Sequence, residues 1–320
     1  MSNSPTLSTI EVRIKAVSYE AECINAYDLR LPDGGALPPF KAGAHIDLKL
    51  SNGAVRSYSL VNPEHERHRY VVAVALDEAS TGGSRHIHGR LLAGNRLVIT
   101  PPVNDFALIE DAPHSVLIAG GIGITPIWCM VQRLAAINLN WQLHYAARTR
   151  AAAAFLEEIA ALRGNVQFHF DAEADGKVLD VAAIVNTAPT NAHLYCCGPV
   201  PMLEAFEAAS RGWARKNVHV EYFKARDAPA RSGGYTVVLA KSNKQVLVPA
   251  GKTILDAMIA AGLDPARSCT EGVCGACEVR VLEGIPDHRD LVLTESERAA
   301  NQTMMICCSG SKSETLVLDI

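Results

Sequence analysis

Hydrophobic and polar residues alternate in short segments over roughly the first hundred positions, from Ile10 to about Pro102. The clearest of these segments are HIDLKL, RSYSLV, RYVVAVAL and RLVITPP, and Gly, Asn and Pro separate them. A period of two in segments rich in β-branched residues predicts strands that bury one face. The region is therefore predicted to fold as an antiparallel barrel or sandwich.

From His114 onward the pattern changes to buried strands that alternate with helical segments rich in Ala and Leu. The strand-like segments are SVLIAGG, QLHYAA, VQFHF and HLYCCG. The helical segments between and after them are WCMVQRLAAI, AAAAFLEEIAAL and VPMLEAFEAAS. Alternation of strand and helix at this spacing predicts a parallel sheet with right-handed crossovers.

A second change follows the segment KARDAPARSGG at residues 224–234, which mixes charge, Pro and Gly without any apolar period. This composition predicts a linker. Beyond it, YTVVLA and KQVLVP predict strands, TILDAMIAAG predicts a helix and LVLDI predicts a closing strand. The end of the chain is therefore predicted to be a small domain of mixed α and β structure.

Composition narrows the classes of protein to consider. The chain of 320 residues is 48% hydrophobic and 20% charged, with a formal net charge of -4, which gives no reason to expect nucleic-acid binding. The first residues, MSNSPTLSTIEVRIKAV, lack the basic and apolar regions of a signal peptide, and no apolar run is long enough to span a bilayer. We therefore expect a cytoplasmic protein with no membrane contact, in which thiols stay reduced.

The predicted last domain contains three cysteines within a span of ten residues, in the segment SCTEGVCGAC. Cys269, Cys274 and Cys277 are spaced C-x4-C-x2-C, and either Cys307 or Cys308 can supply a distant fourth thiolate. In a reducing compartment such a group favours a metal or redox site over a disulfide. The spacing is that of plant-type 2Fe–2S proteins, so we predict an iron–sulfur cluster here.

The residues around these cysteines support the same interpretation. Gly272 and Gly275 let the backbone curl tightly around irons, and amides of the loop can donate to sulfur. Zinc is the weaker alternative, because structural zinc sites more often contain two C-x2-C pairs. Cys23, Cys129 and Cys196 lie outside any group and are predicted to be small buried apolar residues.

A glycine-rich segment, LIAGGIGITPI, ends the first strand of the predicted parallel sheet. Gly120, Gly121 and Gly123 would let a pyrophosphate approach the backbone, and Thr125 with Pro126 opens a helix whose amides face it. The segment is not the G-x-G-x-x-G fingerprint, and no acidic residue follows about 20 positions later. Nucleotide binding by another route is predicted, and a purely steric tight turn is the alternative.

Two further segments belong to the same predicted sheet. In YCCGPVPM, Cys197, Gly198 and Pro199 follow a later strand, at the edge where ligands bind in open α/β sheets, although a plain strand-to-helix turn would look alike. In AARTR, Arg148 and Arg150 follow the second strand. They are suited to the 2′-phosphate of NADPH, but solvated loop charges are the favoured interpretation.

The first domain carries its own candidate residues, in RSYSL and in GGSRHIH. Arg56 is suited to grip a phosphate with two hydrogen bonds, and Tyr58 to lie against a planar ring. Gly83 and Ser84 are suited to form an anion-binding turn before a helix. Each fragment alone is better explained as a solvated strand or turn. Their order along the chain is what favours a functional interpretation.

Taken in order, these motifs resemble the phthalate dioxygenase reductase family, a branch of the ferredoxin reductase-like flavoproteins, over nearly the whole chain. The resemblance implies a multidomain α and β protein. Its parts would be an FMN-binding antiparallel β-barrel at 1–108, an NAD(P)-binding α/β parallel-sheet domain at 109–225, a linker at 226–234 and an α+β β-grasp ferredoxin domain at 235–320. Vanillate demethylase and carnitine monooxygenase reductases are similar.

The resemblance also implies which residues would hold the cofactors. Those at the FMN would be Arg56, Ser57, Tyr58, Ser59, Ala73, Val74, Ala75, Gly82, Gly83 and Ser84. Those at the nicotinamide nucleotide, with NADH placed before NADPH, would be Gly120, Gly121, Gly123, Thr125, Cys197, Gly198 and Pro199, to which the position of Arg148 adds one more.

The same resemblance implies the remaining functional residues. The aromatic residue beside the flavin falls on Phe223 in VEYF, which with Thr125 and Cys197 makes up the predicted catalytic group. The fourth cluster ligand falls on Cys307, because the family's M-x-C-x-S frame matches MICCS with Cys308 at the variable place.

Together these parts imply a route for electrons. A nicotinamide gives up an electron pair as hydride and a 2Fe–2S cluster accepts one electron at a time, so a flavin between them must divide the pair. No two-histidine, one-carboxylate group stands out in the sequence, so the acceptor is expected to be a partner. By resemblance that partner is a Rieske oxygenase of aromatic catabolism. The alternatives are a stand-alone quinone or dye reductase and a zinc-binding, non-enzymatic module.

Overall fold

The computed structural model describes residues 9–77, 82–162 and 164–320. Contacts between residues group the chain into two compact units, Met1–Glu221 and Tyr222–Ile320. In the described ranges, no helix has both the length and the apolar character needed to cross a bilayer.

The first unit covers two of the three predicted domains, and the second unit covers the third. The first unit contains both the predicted barrel region and the predicted parallel sheet, so these two parts join in one compact body. The second unit begins at Tyr222, within the stretch assigned to the end of the nucleotide domain, and contains the predicted ferredoxin region. The domain bounds at 1–108, 109–225 and 235–320 themselves stay predictions.

Six strands in the described part of the first unit form one antiparallel sheet, in the order β4-β3-β6-β1-β2-β5. They are β1 (Ile10–Ala21), β2 (Ile24–Arg30), β3 (His45–Lys49), β4 (Val55–Ser59), β5 (Tyr70–Ala75) and β6 (Arg96–Ile99). The sheet curls until its edge strands meet, because Leu60 bridges Val72 and the Val61 amide donates to Val71 O at 2.9 Å. The curled sheet confirms the barrel. Helix α1 (Gly83–Arg90) follows β5.

The alternation seen in the sequence becomes the two faces of this barrel. In β1, Val12 and Ile14 are fully buried while Glu11 and Arg13 are exposed. The β1–β2 hairpin turns through a short connection in which Cys23 is exposed and has φ 61°. The prediction that Cys23 is buried was wrong, because a tight hairpin turn projects into solvent, whereas Cys129 and Cys196 are buried as predicted.

The second sheet of the first unit consists, in the described residues, of five parallel strands in the order β11-β10-β7-β8-β9. The strands are β7 (Ser115–Gly120), β8 (Trp141–Ala147), β9 (Asn165–Phe170), β10 (His193–Cys197) and β11 (Val218–Glu221). The helices are α2 (Ile124–Ala136), α3 (Leu156–Ala161), α4 (Val181–Thr187) and α5 (Val200–Ala209). The strand order reverses between β7 and β10, and such a reversal opens a crevice at the carboxyl ends of the two strands.

Helix α3 is shorter than the sequence predicts. The whole run AAAAFLEEIAAL has helical composition, but the residue before α3, Phe155, has φ 61° and breaks the helix there. Its ring stacks on Trp128 with centroids 6.2 Å apart, and the Ala154 amide donates to the Tyr145 hydroxyl at 3.0 Å. Tertiary contacts thus override the local preference for helix, since a left-handed phenylalanine is strained.

The second unit has a mixed sheet in the order β13-β12-β18-β14-β16, in which β12 and β18 are parallel and the other pairs antiparallel. Its strands are β12 (Tyr235–Leu239), β13 (Lys244–Val248), β14 (Glu278–Glu283), β15 (Pro286–Asp287), β16 (Thr303–Met305), β17 (Gly310–Ser311) and β18 (Thr315–Leu318). Its helices are α6 (Ile254–Ala260) and α7 (Glu295–Ala300). Thr253 and Asp256 form a capping box that starts α6, whose buried face joins the core under the sheet. This arrangement confirms the β-grasp domain.

The predicted linker at residues 226–234 lies in neither helix nor strand. It is nevertheless bound to the second unit along its length. The Ala230 amide donates to Cys308 O at 2.7 Å, and the Gly234 amide donates to Val248 O at 2.8 Å. These bonds hold the segment against the end of β13 and against Cys308, which follows the cysteine loop in the chain.

Candidate cofactor sites

The glycine loop after β7 and the turn after β10 are in contact, although the sequence separates them widely. A Cβ atom on Gly123 would lie 2.2 Å from Cys197 O and 2.7 Å from Gly198 N. A Cβ atom on Gly120 would lie 2.7 Å from Pro199 Cδ. Because a side chain at either glycine would collide with the other loop, these positions need glycine. Both predicted nucleotide motifs therefore meet at the strand-order reversal, where α/β sheets bind ligands.

The start of α2 completes this crevice. A short turn at Gly121–Gly123 leads into the 13-residue helix, and Gly121 has φ 53°. Thr125 is buried and its hydroxyl donates to Ile122 O at 3.0 Å, while Pro126 lies in the first turn as predicted. The helix places the positive end of its dipole at the carboxyl edge of β7, which suits a pyrophosphate.

The two arginines after β8 have different surroundings. Arg150 makes two hydrogen bonds to Glu173, at 3.1 and 3.0 Å, and its guanidinium lies 4.4 Å from the ring centroid of Phe170. Arg148 is exposed, and its side chain has no partner among the described residues. Arg148 directly follows β8, on the same sheet edge as Gly120, which pairs with Ala146. Arg148 is thus the one of the two whose charge is open to a ligand.

Glu221, the last residue of β11, is a candidate functional residue that the sequence motifs did not identify. It pairs in the sheet with Cys197, and its Oε2 atom is enclosed without a hydrogen-bond partner in the described ranges, although the residue as a whole is half-buried. Burial and the nearby charge of Asp105 raise the pKa of Glu221 to about 8. Burial, together with Glu221, raises the pKa of the Cys197 thiol well above its usual value. At neutral pH the end of the sheet thus carries a protonated thiol and a carboxyl close to its titration point.

The raised pKa of Glu221 predicts a pH-dependent stability. The carboxyl ionises near pH 4.5 in the unfolded chain and near pH 8 in the folded one, so its stabilising effect is complete below 4.5 and is lost as pH rises to 8. Between these pH values the free energy of unfolding of the wild type should fall by about 2 kcal/mol more than that of Glu221→Gln. This value is smaller than the full pKa shift would give, because the residue is partly exposed to solvent. Thermal unfolding of both proteins at pH 5 and pH 8 measures the difference. Glu204→Gln, at an exposed site on α5, is the control, and equal pH slopes for Glu221→Gln and wild type would contradict the prediction.

In the barrel, Arg56 of β4 lies against the start of α1. A Cβ atom on Gly83 would be 2.7 Å from Arg56 Nε, so the guanidinium stem packs directly over that glycine. The N-cap of α1 is Gly82, with φ 111°, and the Ser84 hydroxyl accepts from the Asp77 amide at 3.1 Å. A cationic side chain and a helix N-terminus therefore converge, which is an arrangement suited to a phosphate group.

The other residues predicted at the flavin lie on strands beside this point. Ser57 donates to Asp47 Oδ1 at 2.6 Å and Ser59 is buried, so both contribute to the barrel itself. Ala73–Ala75 lie on β5, an edge strand that pairs with β2, and His88 of α1 bonds Val74 O at 2.8 Å. Tyr58 is half-buried on β4. The fold thus gathers β4, β5 and α1 around one end of the barrel.

The cysteine loop of the second unit arranges its thiols in two pairs. The thiols of Cys269 and Cys274 interact with each other, and those of Cys277 and Cys307 do the same. Cys274 is half-buried and the other three are buried. Within the residues described, no three Cys, His, Asp or Glu side chains form a single metal-binding group. Two pairs match a two-iron cluster, in which each iron takes two thiolates, better than one zinc ion, which takes four ligands around one point.

The backbone of the loop also fits a cluster. Gly272 and Gly275 both have φ 75°, which turns the chain sharply around the thiols. The Glu271 amide donates to Cys269 Sγ at 3.4 Å, and the amide of Ala276 donates to the Cys274 sulfur. The hydrogen bond with Cys269 lowers the pKa of Cys274, which favours the thiolate that binds iron. The donor set and the curled backbone therefore suit the cluster that the spacing predicts.

Phe223 lies just beyond β11, at the beginning of the second unit, and is half-buried. Its predicted place beside the flavin stays a prediction.

Comparison with known proteins agrees with this arrangement of sites. A family model described as a 2Fe-2S iron-sulfur cluster binding domain matches residues 237–311, and one described as an oxidoreductase NAD-binding domain matches residues 117–208. Phenoxybenzoate dioxygenase subunit beta of Ectopseudomonas oleovorans is 53% identical over 100% of both chains. Tetrachlorobenzoquinone reductase of Sphingobium chlorophenolicum is 50% identical over 98% of this chain and 99% of its own.

A solved structure shows the same architecture. Phthalate dioxygenase reductase, described as a modular structure for electron transfer from pyridine nucleotides to a 2Fe–2S centre, aligns with a TM-score of 0.85 and 34% identity over 98% of both chains. Because the alignment covers 98% of this chain, it spans the barrel, the parallel sheet and the β-grasp unit together. This chain therefore belongs to the phthalate dioxygenase reductase family, iron–sulfur oxidoreductases that use NADH, FMN and a 2Fe–2S cluster to supply electrons to oxygenases.

Proposed function

We propose that this chain is the cytoplasmic reductase of a Rieske-type oxygenase that acts on an aromatic substrate. In this proposal NADH binds at the crevice between β7 and β10, and single electrons leave through the cysteine loop. The observation that carries the proposal is the arrangement of four thiols in two pairs, because a reductase that delivers electron pairs has no need of it. The name of the phenoxybenzoate dioxygenase relative supports an aromatic substrate for the partner.

At the crevice, the chain's own groups bind and orient the nucleotide. The glycines at 120 and 123 leave the backbone bare, and the first turn of α2 offers amides to the pyrophosphate. Cys197 stays a neutral thiol, so we assign it a packing role beside the nicotinamide and no nucleophilic role. Thr125 holds the loop through its bond to Ile122 O.

At the barrel, Arg56 and the start of α1 would hold the phosphate of FMN, and the β5 edge at Ala73–Ala75 would lie along its ring. Bound FMN supplies the step from a two-electron donor to a one-electron acceptor. Tyr58, half-buried on β4, would cover one side of the ring. Replacing Arg56 by Ala should weaken FMN binding by about 10-fold or more, since a charged hydrogen bond contributes about 1.5–3 kcal/mol. Flavin content after dialysis measures the loss, with Arg85→Lys as a conservative control nearby.

At the cysteine loop, Cys269 and Cys274 would bind one iron, and Cys277 and Cys307 the other. This assignment follows the two observed thiol pairs. The amides that donate to sulfur, such as that of Glu271, would stabilise the negative charge on the ligands of a bound cluster.

NADH is the proposed electron donor. Arg150 is already paired with Glu173, so Arg148 alone of the two is placed to meet a 2′-phosphate. If it does, Arg148→Ala should lower kcat/KM for NADPH while leaving the value for NADH unchanged. Arg150→Ala is the matched control, and an equal effect on both nucleotides would show that Arg148 makes no phosphate contact.

Two measurements test the function as a whole. The visible spectrum of the purified protein should show flavin and cluster, and a colourless protein would contradict the proposal in favour of a zinc module. Anaerobic reduction with NADH should then be followed by electron transfer to a Rieske oxygenase encoded nearby. The quinone reductase at 50% identity favours a second candidate function, reduction of a quinone. Faster turnover with a substituted benzoquinone than with any oxygenase would select that candidate.

A further inference from the structure

Cys308 is a fifth sulfur beside the proposed cluster ligands, and the proposed function does not use it. Its side chain is fully buried, and its carbonyl accepts from the Ala230 amide at 2.7 Å. Its nearest oxygen acceptors are distant, with Met305 O at 3.8 Å and Ser309 Oγ at 3.9 Å from its sulfur. The thiol is thus held in place by the fold and has no strong oxygen acceptor in the described part of the chain.

The Cys308 sulfur fills the space in front of Gly272. A Cβ atom on that glycine would lie 2.7 Å from Cys308 Sγ and 3.3 Å from Cys308 Cβ. The same glycine has φ 75°, and its amide donates to the sulfur of Cys307. The Cys308 side chain therefore supports the residue that supplies a hydrogen bond to a proposed ligand.

The Cys308 side chain also interacts with the sulfur of its neighbour Cys307. When Cys307 binds iron as a thiolate, that charged sulfur is a better acceptor for the thiol proton than two oxygens near 3.9 Å. Hydrogen bonds to ligand sulfurs stabilise the more negative, reduced cluster and raise its potential.

We infer that Cys308 is a positioning residue that raises the reduction potential of the cluster, through its own S–H bond to Cys307 and by holding the Gly272 amide on the same sulfur. The inference rests on the proposed function, because it takes Cys307 as the ligand. Cys307, and not Cys308, is the partner of Cys277, so Cys308 is not needed to complete the second pair. It would bias electrons toward the cluster from which the oxygenase draws them.

The test compares Cys308→Ala, Cys308→Ser and Cys307→Ser with wild type, and uses Cys129→Ala as the control for loss of a buried cysteine elsewhere. Iron and sulfide content, the EPR spectrum and the midpoint potential from an anaerobic redox titration are measured on the full chain. Cys308→Ala should keep its cluster and shift the potential to more negative values than Cys129→Ala does. Cys308→Ser, which keeps a donor, should shift it less.

Two results would overturn the inference. One is a potential in Cys308→Ala that equals that of wild type, since the hydrogen bonds would then have no effect on the cluster. The other is loss of the cluster from both Cys308 variants, because a positioning residue is not required for assembly. Failure of the proposed function looks different, since wild type itself would then bind no iron, and Cys307→Ser would match it.

Discussion

Replacing Cys277 by serine should abolish the iron–sulfur cluster and stop one-electron transfer, while hydride transfer from NADH to the flavin continues. Cys277 is paired with Cys307 and is buried in the core of the second unit, whereas the nucleotide crevice and the flavin-binding end of the barrel belong to the first. Loss of a ligand should lower cytochrome c or oxygenase reduction by more than about 100-fold, above the 10–100-fold typical of residues that only support ligands. Visible and EPR spectra report the cluster, and stopped-flow bleaching by NADH reports the flavin.

Serine at a buried position also destabilises the core, so a second variant separates loss of a ligand from misfolding. Cys274 is half-buried and lies outside that core, and Cys274→Ser should remove the cluster in the same way. Cys23→Ser, at the exposed hairpin turn of β1 and β2, is the control and should retain the full spectrum. A complete cluster in Cys274→Ser or Cys277→Ser would show that the thiol pairs are not its ligands.

Replacing Gly123 by alanine should disrupt the proposed nucleotide site and lower activity with NADH. The added Cβ would lie 2.2 Å from Cys197 O and 2.5 Å from Cys197 C, so two backbone segments must separate. Overpacking of this kind costs about 1–3 kcal/mol of stability. A displacement of about 1 Å in a positioned reactant lowers rates by about 100-fold, so we expect kcat/KM for NADH to fall by that factor.

The matched control for this change is Gly212→Ala. A Cβ atom there meets nothing within 4 Å, and the residue lies in the same unit after α5. It should leave kcat/KM unchanged. In Gly123→Ala, dithionite should still reduce the cluster, because the cysteine loop lies in the other unit. A kcat/KM for NADH near that of wild type would show that the contact between the two loops does not form the nucleotide site.

Much of the fold follows from local pattern. The alternation in β1 and the apolar strands of the parallel sheet predict elements that the structure contains, since side-chain direction depends only on neighbouring residues. Local pattern fails where a distant contact is stronger than propensity. Phe155 breaks a segment of helical composition because its ring packs on Trp128, and Cys23 is exposed because a hairpin turns there.

The sites divide in the same way. Spacing within SCTEGVCGAC was enough to predict a plant-type cluster, because three of its proposed ligands lie within one loop whose shape depends on its own glycines. Spacing could not choose between Cys307 and Cys308. In the structure Cys307 interacts with Cys277 while Cys308 packs on Gly272, and this difference supports Cys307 as the proposed fourth ligand. Glu221 had no local signal beyond an acidic residue at the end of an apolar strand.

By itself, then, the sequence determined the class of each domain, the cluster type and the positions of both nucleotide-type loops, because each depends on residues close together in the chain. Only the tertiary structure decided that Gly123 touches Cys197, that Glu221 is enclosed beside the same crevice, and that Cys308 supports the loop amide on Cys307. Those are contacts across distant segments, and strand order and packing set them, since composition and spacing carry no record of which surfaces meet.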